Sequence, residues 1–135
     1  MTKLTGSCLC EKVTFKGDAD IKAIINCHCD DCQKVTGSVH GTLMIVPQSD
    51  IEMVGEPSTF EHVADSGNQL TKIFCSSCGS QVAGLNTGRP GMMTLRAGSI
   101  DQKELVKPAM NIYCNSAIET TPMDSELKTF PKMPG

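Results

Sequence analysis

A chain of 135 residues and 14.4 kDa fits one domain, taken here as residues 1–135. Hydrophobic residues make up 39% and aromatic residues only 4%, with no Trp, so the core is thin and metal cross-links are expected to supply part of the stability. A net charge of −3 and a pI near 5.5, with no basic run, argue against nucleic acid or an anionic membrane as the main partner.

Along the chain, residues 11–16 alternate polar and apolar side chains, the pattern of a half-buried strand, and Gly17-Asp18 reads as its end. The apolar run 23–26 leads into Cys27-His28-Cys29-Asp30-Asp31-Cys32, after which one helical turn fits residues 30–35 before Gly37. Residues 39–46 predict a strand stopped by Pro47, and further strands are expected at 59–63, 70–74, 92–97 and 111–114. Glycines and prolines separate them, and no long stretch has helical periodicity. The regular return of short strands and turn signals makes the expected fold class all-β, a single domain built from several small sheets. The proline-bearing tail, 122–135, is expected to run extended over the surface.

Seven of the eight cysteines fall into three clusters: Cys8-Leu9-Cys10, then Cys27, Cys29 and Cys32, then Cys75-Ser76-Ser77-Cys78-Gly79. Sulfurs one residue apart in an extended segment lie on the same side of the chain. Those two apart, followed by a glycine that permits positive φ, form a knuckle whose backbone N–H groups can donate to the thiolates. Zinc takes about four such ligands in a tetrahedron, so seven thiolates divide into a closed site of four and a site of three with an open position. Met1–Gly6 lacks the apolar stretch of a secretory signal, and Leu43-Met44-Ile45-Val46 is far too short to span a membrane. The expectation is a cytoplasmic protein whose cysteines bind metal instead of forming disulfides.

Cys8 and Cys10 suit the knuckle of Cys75 and Cys78 as a second pair, which makes that site structural. The alternatives are recruitment of one member of the three-cysteine cluster, or Cys8 and Cys10 as small buried hydrophobes. At Cys27, Cys29 and Cys32, three thiolates leave zinc a net charge of −1, better suited to a soft thiolate substrate than to an activated water. A closed site completed by Cys114 or His28, or a metal-free dithiol, are the competing accounts. His28, between two ligands in an extended segment, points away from their metal and reads as an orienting or core residue. Cys114 reads as a buried, inert thiol in an apolar strand. His40, expected at the head of a strand, and Ser38 are candidates for proton transfer. Arg96 and Arg89 are the only arginines, and Arg96, whose strand leads into Gly98-Ser99, is the stronger candidate to clamp a substrate carboxylate.

These clusters, with Gly6-Ser7 before Cys8, Thr36-Gly37-Ser38, Phe74 and Ser80 around the knuckle, and Gly98-Ser99-Ile100-Asp101, resemble the glutathione-dependent formaldehyde-activating enzyme family, which includes centromere protein V. The resemblance implies a zinc-held fold of coiled sheets, with Cys8, Cys10, Cys75 and Cys78 on a structural zinc and Cys27, Cys29 and Cys32 on a labile, catalytic zinc that is partly occupied. It also implies a carbon–sulfur lyase, S-(hydroxymethyl)glutathione synthase-like, whose partners are glutathione or another thiol and formaldehyde or another aldehyde. Glu11 stands where the family usually has Gly, Gln33 replaces a frequent Arg, Asn111 a common His, and Thr120 lies near an expected Trp. The rival readings are a non-catalytic zinc or thiol carrier and a protein-interaction module. The basic extensions of the centromere relative are absent from these 135 residues.

Overall fold

A computed structural model describes residues 1–134. Strands dominate, in two sheets, as an all-β reading requires. The smaller is antiparallel and three-stranded, with β1 (Thr2–Ser7) beside β2 (Thr14–Ala19) and β2 beside β5 (Glu52–Val54). The larger runs β11-β10-β3-β4-β9-β8-β7-β6. Its members are β3 (Ala23–Cys27), β4 (Gly41–Pro47), β6 (Ser58–Val63), β7 (Gln69–Phe74), β8 (Gln81–Asn86), β9 (Met92–Arg96), β10 (Met110–Ile112) and β11 (Lys128–Thr129). Pairing is antiparallel except on either side of β10. One helix, α1 (Asp30–Thr36), follows β3 and ends at Gly37, whose φ of 68° closes it in the left-handed region.

Strand alternation sends the two faces of the large sheet to different cores. Ile24, Met44, Val46, Met93 and Leu95 face the small sheet and pack with Leu4 and Phe15. Ile25, Leu43 and Ile45 point the other way and pack with Cys27, Cys32 and Ile112. β4 is therefore covered on both sides, and its run of apolar residues loses the alternation of a one-faced strand.

Several boundaries differ from the sequence expectation. The strand forecast at 11–16 starts only at Thr14, because Cys8 to Val13 fold into a turn closed by Cys8 N–H donating to Val13 O at 2.9 Å. Glu11 sits in that turn at φ 65°, a conformation that favours glycine. Gly17-Asp18 does not end β2: Gly17 pairs with Leu4, and the Asp50 carbonyl packs where a Cβ would stand. The strand forecast from 39 starts at Gly41, so His40 precedes it. The last forecast strand ends at Ile112, because Tyr113 takes φ 56° and turns Cys114 into a 3-10 turn. β1, β3, β5 and β8 were not forecast as strands; residues 23–26, within β3, read only as an apolar run. The tail is largely exposed but adds β11 to the sheet edge, and its final residue, Gly135, lies outside the described residues.

Gly17→Ala is expected to destabilise the protein by about 1–3 kcal/mol, the usual cost of overpacking a close contact. Gly98→Ala, with nothing within 4 Å of its Cβ position, is expected to cost under about 0.5 kcal/mol. Urea unfolding of the two variants measures the difference.

Candidate metal centres

The turn between β1 and β2 meets the turn between β7 and β8, and the sulfurs of Cys8, Cys10, Cys75 and Cys78 lie within 4.8 Å of one another. The Cys8–Cys10 and Cys10–Cys75 sulfur separations are 3.7 and 3.6 Å. A tetrahedron of Zn–S bonds of about 2.3 Å has edges of about 3.8 Å, so the spacing fits zinc. The knuckle forms as its sequence requires: Gly79, at φ 76°, donates its N–H to Cys75 O at 2.8 Å. Val13 N–H reaches Cys8 Sγ at 3.4 Å, and the Ser80 hydroxyl lies 3.2 Å from Cys78 Sγ. That hydroxyl, followed by backbone N–H groups, lowers the Cys78 thiol to about 5. A four-thiolate set leaves a tetrahedral ion no free position.

The second cluster is assembled by the end of β3 and the start of α1. Cys27 is the last residue of β3, Cys29 caps the helix by accepting the Cys32 N–H at 3.3 Å, and Cys32 lies on the helix's buried side. Cys27 S–H donates to Cys29 Sγ at 3.4 Å, and all three sulfurs lie within 4.8 Å of one another. Cys32 is held far below the ordinary thiol range, first by hydrogen bonds from Cys27 and Cys29, against the effect of burial, and further by the charges of Arg96 and Lys72. Cys27 is pushed up by its hydrogen bonds with Cys29 and Cys32 and by burial. One sulfur thus ionises readily and the others hold their protons, as expected of crowded thiols that a divalent ion would deprotonate together.

These sulfurs open onto a pocket of about 170 Å³, roughly ten times what one water needs. Its floor is the second face of the large sheet. The register sets Lys72 of β7 opposite Gly84 of β8, Gly84 opposite Thr94 of β9, and Arg96 opposite Leu43 of β4. Gly84 contributes no side chain, which leaves room above it. Arg96 and Lys72 are each only 7% exposed, and both line the pocket. A Cβ at Gly41 would lie 2.6 Å from Arg96 Nη1 and 3.6 Å from Cys32 Sγ, so Gly41 admits the guanidinium beside the cysteines. Arg89 lines the same pocket.

Lys72 was missed by the sequence reading. The signal was its place two residues after Leu70 in β7, on the inward side of the alternation. Ser38 is exposed and does not line this pocket. His40 lines a separate groove with Thr36, Thr42 and the far side of Arg96, and its pKa is lowered by burial and by His28. His28 is fully buried and directed away from the sulfurs, its Nε2 3.0 Å from Asn111 Oδ1 and its ring centroid 4.9 Å from that of His40. Gln33 Nε2 donates to His28 O at 2.9 Å and to Ser116 O at 3.0 Å, tying α1 to the β10 end. Cys114 belongs to neither cluster and, contrary to expectation, is half-buried outside a strand.

The family described as glutathione-dependent formaldehyde-activating enzyme matches residues 3–116, and the chain belongs to it. Its fold is similar to the crystal structure of a Rhodobacter sphaeroides protein, with a TM-score of 0.59 and 14% identity, covering 77% of this chain and 96% of that one. No curated protein matches the chain. The family name denotes an enzyme of glutathione and formaldehyde chemistry, and both cysteine clusters suit metal ions such as zinc. No helix among the described residues is long and apolar enough to cross a membrane.

Structural zinc contributes about 10–16 kcal/mol, comparable with the whole stability of a domain at about 5–15 kcal/mol. Cys78→Ser is therefore expected to abolish the cooperative unfolding transition seen by circular dichroism. Cys29→Ser is expected to retain the fold, since serine also caps helices, and to lose one equivalent of zinc by elemental analysis. Melting of both variants alike would remove the distinction between the sites.

Cys114→Ala is expected to keep the full zinc content and to lose no more than about 1 kcal/mol of stability. Loss of one zinc equivalent would make Cys114 a ligand.

Proposed function

We propose that the chain is one cytoplasmic domain acting as a carbon–sulfur lyase-type zinc enzyme, S-(hydroxymethyl)glutathione synthase-like, on a thiol and formaldehyde. In this reading Cys8, Cys10, Cys75 and Cys78 hold a structural zinc, and Cys27, Cys29 and Cys32 hold the reactive one. The observation that carries the reading is the opening of a three-sulfur cluster onto a pocket lined by two buried cations. Bound at three thiolates, zinc would offer one soft-ligand position and lower the pKa of a thiol there.

The chain's own residues supply the remainder. Cys29, fixed as the helix cap, and Cys27, fixed by the β3–β4 pairing, hold the reaction centre in place. Arg96 and Lys72 favour the ionised form of an incoming thiol and bind its carboxylates. Apolar Ile25, Leu43 and Ile112 keep the sulfur end of the pocket dry. In the reaction the thiol sulfur bonds to the formaldehyde carbon, the C=O π bond breaks, and the thiol proton ends on the new hydroxyl. Ser38 and His40 lie off the pocket, so neither is assigned that proton.

A free thiol of pKa about 8.5 is only about 3% ionised at pH 7, so ionisation alone offers a gain of up to about thirtyfold. Exchange NMR with labelled formaldehyde and glutathione is expected to show adduct exchange at least about tenfold faster with zinc-loaded protein than in buffer. The Cys29→Ser variant is expected to lose the effect, and S-methylglutathione to bind more weakly than glutathione. Exchange at the buffer rate across several thiols, with binding retained, would favour a non-catalytic carrier.

A further inference from the structure

When sulfur bonds to the formaldehyde carbon, negative charge gathers on the aldehyde oxygen, and a donor placed there speeds the step. In strand order the pocket's cations stand on one side of the cysteines. β3, which ends at Cys27, lies between β4 and β10, and Arg96 and Lys72 belong to β9 and β7, beyond β4. On the other side β10 runs parallel to β3 with Ile112 opposite Cys27, and Tyr113 follows it. Alternation along a strand sends neighbouring side chains to opposite faces, yet Ile112 and Tyr113 both line the pocket. The left-handed backbone of Tyr113, at φ 56° and ψ 39°, breaks the alternation. Its N–H donates to Lys132 O and its carbonyl accepts from Ser116 N–H, each at 3.1 Å, so the turn is held on both sides. Tyr113 packs, with Cys29, against the buried set that contains Cys27, Cys32 and Ile112. A tyrosine in this backbone region is strained, and such strain clusters where a side chain is aimed for function.

The other neutral hydroxyls of the pocket are engaged or turned away. Thr94 donates to Gly84 O at 3.2 Å, and Ser66 Oγ caps the Asn68 N–H at 3.3 Å within the β6–β7 turn. Thr71 alternates to the face of β7 opposite Lys72. We propose that Tyr113 is a catalytic residue, its phenol O–H donating a hydrogen bond to the aldehyde oxygen as the sulfur attacks. The inference rests on the thiol–formaldehyde reading given above. A phenol holds its proton at neutral pH, so it donates throughout the step without being consumed. The thiolate electron pair forms the C–S bond, the C=O π pair moves onto oxygen, and the phenol stabilises the charge there. The proton released when the thiol ionised returns to that oxygen, so none is gained or lost overall.

Tyr113 is the only tyrosine of the chain, which gives two independent tests. Tyr113→Phe keeps the ring and removes the donor. In the zinc-loaded protein it is expected to lower the enzyme's contribution to glutathione–formaldehyde exchange, read by NMR at saturating thiol, by at least about tenfold. Glutathione affinity by calorimetry is expected to stay within about twofold, with both zinc equivalents retained. Biosynthetic replacement of tyrosine by 3-fluorotyrosine labels position 113 alone. Its fluorine resonance is expected to shift when formaldehyde is added to the glutathione-bound protein, and to stay in place when S-methylglutathione replaces glutathione. Wild-type acceleration undiminished in Tyr113→Phe overturns the inference and leaves the thiol–formaldehyde reading standing. So does a loss of rate matched by an equal loss of glutathione affinity or of zinc, which makes Tyr113 a structural support. A fluorine resonance unmoved by formaldehyde also overturns it, and this measurement serves even if Tyr113→Phe fails to fold. If the wild-type protein exchanges at the buffer rate, both readings fall.

Discussion

Four sulfurs held within 4.8 Å of one another are the constraint on which the rest of this structure depends. Two come from the turn after β1 and two from the turn after β7, so the cluster joins the small sheet to the large one at the edge of the main core. Such a cluster cannot hold four thiolates without a cation, because like charges at that spacing repel strongly. The fold supplies donors to soften the repulsion, from the Val13 amide and the Ser80 hydroxyl, but they are too few to neutralise it. A bound metal ion would supply the missing positive charge, and the sulfur spacing suits one.

The other cluster meets a different electrostatic environment. Its three sulfurs lie on the opposite face of the large sheet, where Arg96 and Lys72 are buried beside them. Cations next to thiolates favour ionisation, and the open side of the pocket leaves access for a ligand. Both clusters present the same thiol chemistry and differ in their surroundings: hydrogen-bonding turns flank one, and a floor with two buried cations lies beside the other.

The clusters were legible in the sequence because their spacing is local. C-x-C and C-x-x-C-G geometry follows from backbone conformation within a few residues, as does the helix between Asp30 and Gly37. The edges of strands were less legible where long-range packing decided them. Gly17 reads as a stop but continues β2, because the Asp50 carbonyl passes close to it. β8 went unrecognised because Val82-Ala83-Gly84 is short, small and buried, with no alternation to announce it. Lys72 looked like an ordinary polar position until the register set it opposite Gly84 and on the same face as Thr94 and Arg96.

The departures from the family pattern acquire physical meaning once their surroundings are known. Glu11 occupies a left-handed turn that glycine would enter without strain, so its cost falls on stability beside the four-sulfur clasp and not on a ligand. Asn111 accepts from His28, and Gln33 donates to the His28 carbonyl. Both therefore support the strand and helix that carry Cys27, Cys29 and Cys32. A small amide at 111 in place of a larger imidazole still fixes the His28 ring, and an amide at 33 spans two carbonyls without adding a positive charge near the cluster. The positive charge that faces the pocket comes instead from β7 and β9, through Lys72 and Arg96, on elements distant in sequence from the cysteines they serve. The cysteine clusters are thus set by local motif, while the positive charge beside one of them is set by sheet register, so the two can change independently.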